Sequence, residues 1–321
     1  MRVKRPAPRA AHMTTLTTDS TVPDSKTVVA KLSLFAADIK ISHTIFALPW
    51  AILASFLAAK ETAHPITAIK LLLIIICMVS ARTLAMAANR LLDAGLDAQN
   101  PRTARRAIPS GALSKTFVTG ITVVCVVAFV VACFGFYYFY NNHWPLLLAL
   151  PVLAFLSAYP LLKRFTRLCH YYLGAALALA PLCAWLAIAG QVAGAPLLMA
   201  AAVLCWTAGF DIIYACQDYV SDCATGVFSV PAKLGIAKAL WVARLTHLVC
   251  AVLLVTLGYV SPTLSIFYFV GVAFAIGLLI VEHLLVKPND LSKVGLAFFT
   301  VNGIISLLVG TLGIIDVLRA H

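Results

Sequence analysis

The feature that most constrains this chain is its recurring apolar runs, each roughly 18 to 25 residues long, set between short polar stretches. Nine runs predict membrane-spanning helices, near 42–59, 66–88, 116–138, 145–161, 170–189, 197–216, 238–259, 263–285 and 294–316. With 62% hydrophobic residues, 11% charged residues and a mean hydropathy of +0.97, a soluble fold of 321 residues has too little interior to hide the apolar surface. The expected fold is all-α, a polytopic membrane helical bundle of about nine transmembrane helices with the lipid bilayer as its solvent.

Charge sets the orientation. The formal net charge is +12, which in a membrane protein marks the loops kept in the cytoplasm rather than a nucleic-acid surface, and no nucleic-acid or protein partner is expected. With the N-terminus inside, the loops after spans 2, 4, 6 and 8 and the adjoining helix ends carry most of the Lys and Arg. The opposite side holds only Lys60, Lys70 and Arg319. Nine cysteines fall mostly within apolar runs, without CxxC pairs or zinc spacing, and read as small buried hydrophobes.

Residues 1–34 read as a basic N-terminal tail ahead of a transmembrane domain over 35–321. Arg2, Lys4, Arg5 and Arg9 with few acids and no apolar core exclude a cleaved secretory signal. A disordered tail, an organellar transit peptide and a start at Met13 all fit that composition.

Against this apolar background, Asn89 to Gly111 (NRLLDAGLDAQNPRTARRAIPSG) stands out. Asn89, Asp93 and Asp97 recur every fourth residue, so a helix places them on one face. Carboxylates with an amide oxygen suit a hard cation such as Mg²⁺, which shares its oxygen ligands with substrate phosphates. A second stretch, DIIYACQDYVSD, puts Asp211, Tyr214, Asp218 and Asp222 at helical spacing too. These two stretches hold five of the 12 acidic residues in the chain. Four spans lie between them, so both reach the same membrane face, where they are able to hold a metal-bound diphosphate between them. On that face Tyr159, Lys163 and Arg164 (YPLLKR) offer charge-assisted hydrogen bonds to phosphate, although a Lys or Arg there also simply snorkels to the interface. Lys40 and His43 open the first span. Asn302 lies in the last, where a polar group serves as a site residue or as glue between helices.

With these motifs the chain resembles the UbiA superfamily of intramembrane aromatic prenyltransferases. The family's NxxxDxxxD is matched by Asn89, Asp93 and Asp97, its DxxxD by Asp218 and Asp222, and its YxxxK by Tyr159 and Lys163, over about residues 35–316. The string NRLLDAGLDAQNPRT, with YACQD and GVFSVPAKLG, is closest to the 4-hydroxybenzoate polyprenyltransferase-like branch. That branch includes futalosine-route menaquinone enzymes acting on 1,4-dihydroxy-6-naphthoate. Many 4-hydroxybenzoate enzymes begin the first motif with Asn-Asp, whereas this chain has Arg90 in the second position, which leaves the acceptor open between the two acids.

The resemblance implies a bundle around a central cavity with a polar cytoplasmic cap, and the short tail favours a bacterial plasma membrane over an organellar inner membrane. It implies Mg²⁺-dependent transfer of a polyprenyl group from polyprenyl diphosphate to the ring of an aromatic acid, in respiratory quinone synthesis. Asn89, Asp93, Asp97, Asp211, Asp218 and Asp222 are then the metal ligands. Asp93, Asp97, Asp218, Asp222 and Lys163 form the catalytic group. Arg102, Arg105, Arg164, Tyr159, Tyr214, Lys40, His43 and Asn302 contact diphosphate or acceptor. From a different class, a secondary transporter also carries acids in its membrane segments. There the acids are expected near the midplane, whereas here they gather at one face beside arginines.

Overall fold

A computed structural model describes residues 27–40 and 46–320. The helices are α1 (Val28–Asp38), α2 (Leu48–Glu61), α3 (Ala68–Gln99), α4 (Lys115–Tyr140), α5 (Trp144–Leu162), α6 (Cys169–Ala189) and α7 (Gly194–Ala215). After a 3₁₀ turn at Cys216–Asp218 come α8 (Tyr219–Thr225), α9 (Val230–Leu234), α10 (Ile236–Val260), α11 (Ile266–Leu285), α12 (Val294–Leu296), a π-turn at Ala297–Val301 and α13 (Asn302–Arg319). No strand is present among the described residues.

By length and composition, eight helical segments among the described residues are able to cross a membrane. The expected first span differs. Its opening residues 41–45, His43 included, lie outside the described residues, and α2, the helix within that span, has 14 residues. The expected boundary at residue 34 falls within α1, whose N-terminus is capped by the Thr27 hydroxyl, which accepts from Ala30 N–H.

α7 is the most enclosed span, packed between α6 and α10. Two glycines permit those approaches. A Cβ at Gly174 would lie 2.4 Å from the Leu204 carbonyl oxygen, and one at Gly209 would lie 2.2 Å from the His247 ring. Between membrane helices, where lipid is as apolar as Leu, such close packing is a main source of association. Phe46, Trp50, Trp206, Phe210 and Tyr268 fill the core beside them. α4 instead turns Val123, Val124, Val127 and Val131 outward, a surface suited to lipid.

At the end of the bundle away from the acidic motifs, the Asp316 carboxylate of α13 accepts from Ser265 N–H, the Ser265 hydroxyl and Tyr268 N–H. It thereby satisfies donors at the start of α11 that hydrocarbon leaves without partners. Lys60 at the end of α2 donates to the Ala320 carbonyl there.

Candidate active site

α3 runs unbroken through the first acidic motif, well beyond the predicted end of its span at residue 88. Fourfold spacing on that helix buries Asp93 and Asp97, at 0% and 5% exposure. Carboxylates this deep need partners. Lys163, at the end of α5, donates to Asp93 Oδ2 at 2.7 Å, and the Asn89 amide donates to the same oxygen at 2.7 Å. Asp93 Oδ1 has no hydrogen-bond partner, and Arg164 Nη2 lies 4.0 Å from it. Arg106 Nη1 lies 2.8 Å from both oxygens of Asp97.

The second motif is not one helical face. α7 stops at Ala215, and the 3₁₀ turn re-aims the chain before α8. Asp218 and Asp222 therefore meet the first motif while Asp211 does not. Arg102 binds Asp218 through two nitrogens, at 2.9 and 2.6 Å, and Asn100 adds a third donor at 2.9 Å. Burial opposes the Arg102 charge, but the hydrogen bonds and attraction of Asp218 outweigh it and raise its pKa above the ordinary value. Asp222 accepts from the Ser229 hydroxyl at 2.7 Å.

These side chains enclose a polar chamber of about 130 Å³. Four carboxylates (Asp93, Asp97, Asp218, Asp222) and three cations (Arg102, Arg106, Lys163) line it, with Asn89, Asn100 and Thr103. A second cavity of about 390 Å³ has almost wholly apolar walls from α3, α4, α5, α6 and α7. Its few polar residues include Arg82, Asn89, Tyr159, Asp211 and Tyr214. Asn89 lines both spaces, which are therefore adjacent.

Several expected site residues are placed differently. Asp211 lines the apolar cavity, its Oδ2 2.7 Å from His170 Nδ1, so it does not join the other carboxylates. His170 Nε2 accepts from Val230 N–H, which leaves the proton on Nδ1, facing Asp211. Arg105 is exposed, and its neighbour Arg106 faces the chamber, since adjacent residues cannot point the same way. Arg164 is bound to the Leu92 carbonyl. Lys40 lines neither space. Its ammonium sits 4.3 Å from the Phe299 ring centre, with its pKa lowered first by burial and then by Arg102, Arg106 and Arg90. Asn302 is fully buried, accepting from Trp206 Nε1 at 2.6 Å and donating to Glu282 Oε1 at 2.9 Å and the Ala297 carbonyl at 3.1 Å. It braces the π-turn rather than facing either space. Tyr159 and Tyr214 do line the apolar cavity, Tyr214 also accepting from Arg102 at 3.1 Å.

Sequence spacing does not single out Arg106, Asn100 or His170 as site residues. Asn100 stands in the NPRT string and Arg106 beside Arg105, whereas His170 gives no signal, being one His at the start of an apolar run.

Comparison with known proteins matches this arrangement to a family. The UbiA prenyltransferase family matches residues 47–304, and the chain belongs to it. The protein is a membrane-embedded prenyltransferase. A curated relative, the 4-hydroxybenzoate octaprenyltransferase of Cronobacter sakazakii, is 30% identical over 221 residues, which is 69% of this chain and 73% of the relative. Among solved structures, the apo UbiA homologue of Aeropyrum pernix K1 is 29% identical with a TM-score of 0.76, over 86% of this chain and 98% of that one. The Archaeoglobus fulgidus UbiA homologue bound to GPP and Mg²⁺ has the same fold at 18% identity and a TM-score of 0.66, over 88% of this chain and 99% of that one.

Proposed function

We propose that this protein transfers a polyprenyl group from polyprenyl diphosphate to a ring carbon of an aromatic acid, with 4-hydroxybenzoate as the acceptor, in respiratory quinone synthesis. The observation that carries this proposal is the adjacency of the two spaces. A polar chamber able to bind diphosphate meets an apolar cavity able to take an isoprenoid tail, with Asn89 at the junction.

The chamber fits Mg²⁺. Its donors are oxygens, the ligands a hard cation takes, and Asp93, which lines it, keeps one buried carboxylate oxygen, Oδ1, without a hydrogen-bond partner. Among the described residues no three of His, Cys, Asp and Glu converge on one point. Three of the four carboxylates are instead held by Lys163, Arg106 and Arg102. Formally, four carboxylates against three cations leave one negative charge. Two Mg²⁺ ions with a diphosphate monoester carry about one positive charge, so the filled chamber is neutral, as a low-dielectric site requires.

Asp93, Asp97, Asp218 and Asp222 would hold the metal, and a bound metal neutralises the leaving diphosphate as a Lewis acid. Lys163, Arg102 and Arg106, which line the same chamber, would add charge-assisted hydrogen bonds to the diphosphate oxygens as charge develops there. The apolar walls exclude water from the allylic cation that forms as the C–O bond breaks. The distribution of Lys and Arg supports a cytoplasmic chamber, and the bacterial source of the 4-hydroxybenzoate octaprenyltransferase relative supports a bacterial plasma membrane.

Mass spectrometry of products from purified protein, Mg²⁺, a polyprenyl diphosphate, and 4-hydroxybenzoate in competition with 1,4-dihydroxy-6-naphthoate tests this function. Prenylated benzoate is expected. Prenylated naphthoate alone would move the protein to futalosine-route menaquinone synthesis, and no diphosphate release with any acceptor would overturn the proposal.

A further inference from the structure

Behind Asp93 runs a chain of hydrogen bonds that reaches helix α1, which lines neither space. Asn89 donates its amide N–H to Asp93 Oδ2 at 2.7 Å, and its own Oδ1 accepts from Arg90 Nη1 at 2.7 Å. Arg90 Nε donates to Asp38 Oδ2 at 2.7 Å and Arg90 Nη2 to the Asp38 carbonyl at 2.9 Å. The remaining Asp38 oxygen accepts from Ala107 N–H at 3.0 Å, in the loop that also carries Arg102 and Arg106. The Arg90 and Asp38 side chains are 6% and 11% exposed, so the pair is largely shielded from solvent.

The chemistry of the neighbours fixes the direction of the Asn89 amide. A guanidinium has only donors and a carboxylate only acceptors, so the oxygen must face Arg90 and the nitrogen Asp93. The Asn89 oxygen is therefore engaged by Arg90. Asp93 Oδ2, taking both the Asn89 amide and Lys163, is held in one orientation, which leaves Oδ1 as the unpaired oxygen.

We infer that Arg90 and Asp38 are positioning residues: through Asn89 they present Asp93 Oδ1 to the chamber, coupling the docking of α1 to capture of the metal-bound diphosphate. The inference rests on the function proposed above. Arg suits the place because its planar fork reaches Asp38 and Asn89 at once, which a Lys cannot do. Groups that orient a ligand from behind carry about 10–100-fold of metal affinity or activity in other sites.

The test uses the full chain in detergent and a non-reacting farnesyl thiolodiphosphate as the probe, with Mg²⁺ titrated. Hydrogen exchange of residues 28–38 is measured with and without the probe. In the unsubstituted protein, probe with Mg²⁺ is expected to slow exchange in α1. The double variant Asp38→Asn/Arg90→Gln removes both charges together and leaves no lone buried ion. It is expected to need about 10–100-fold more Mg²⁺ for probe binding and to lose the α1 response. Arg90→Lys should recover little of either. Asn89→Asp supplies a better oxygen ligand but sets a carboxylate against Asp93, so its Mg²⁺ requirement is expected to rise. A tighter Mg²⁺ response in Asn89→Asp, or probe binding without any change in α1 exchange, would overturn this inference and leave the proposed function intact. Failure of the probe to bind the unsubstituted protein with Mg²⁺ would overturn both.

Discussion

The two acidic segments look alike in sequence and behave differently in the fold. Asp93 and Asp97 lie on an unbroken α3, deeply buried, each gripped by a cation from another part of the chain. The second segment breaks after Ala215, which sends Asp211 to the apolar cavity with His170 and leaves only Asp218 and Asp222 in the polar chamber. Helical spacing aligns side chains only while the helix lasts. Where it stops decides which acids share a chamber.

Substitutions separate the two outcomes. Asp93→Asn and Asp218→Asn are expected to lower kcat by about 10²–10³-fold, the scale for removing one fixed electrostatic partner of a transition state, and to raise the Mg²⁺ needed for half-maximal rate. Asp211→Asn should leave that Mg²⁺ requirement unchanged, whatever its effect on kcat. A parallel shift in all three variants would return Asp211 to the metal site. Stripping divalent metal with EDTA should stop diphosphate release while the circular-dichroism spectrum of the helices is kept, because the carboxylates retain Lys163, Arg106 and Arg102 as partners.

The paired arginines sharpen the comparison at smaller scale. Arg106→Ala is expected to cost about 10–100-fold in kcat/KM for the polyprenyl diphosphate, whereas exposed Arg105→Ala should stay within about twofold of the unsubstituted rate. Equal losses would contradict the chamber wall described here. Asn302→Leu, at a position that lines neither space, should lower stability by about 1–3 kcal/mol by orphaning Trp206 Nε1 and Glu282 Oε1, without changing the Mg²⁺ requirement.

Much of this is legible in the sequence. Apolar run length marks the spans, and fourfold spacing marks Asp93 and Asp97, because α3 is long and unbroken. Positive charge in alternate loops places Lys163 and Arg102 on the same side as the acids. The 3₁₀ turn at Cys216–Asp218 carries no Gly or Pro to announce it, so Asp211 reads as one more ligand. Arg105 and Arg106 are equivalent until the loop folds. Asn302 is open between site and glue, and Trp206 and Glu282, far away in sequence, decide for glue. Asp38 sits just inside the expected domain, and nothing local shows that it meets Arg90 across 52 residues.

The central claim is that the polar chamber captures diphosphate through a divalent metal while the apolar cavity takes the tail. Equilibrium binding of farnesyl thiolodiphosphate, measured with Mg²⁺ and with EDTA in the unsubstituted protein and in Asp93→Asn/Asp218→Asn, tests it most directly. Mg²⁺-dependent binding that the double variant loses is the predicted result. Binding of equal strength with EDTA, or undiminished in the double variant, would contradict the account.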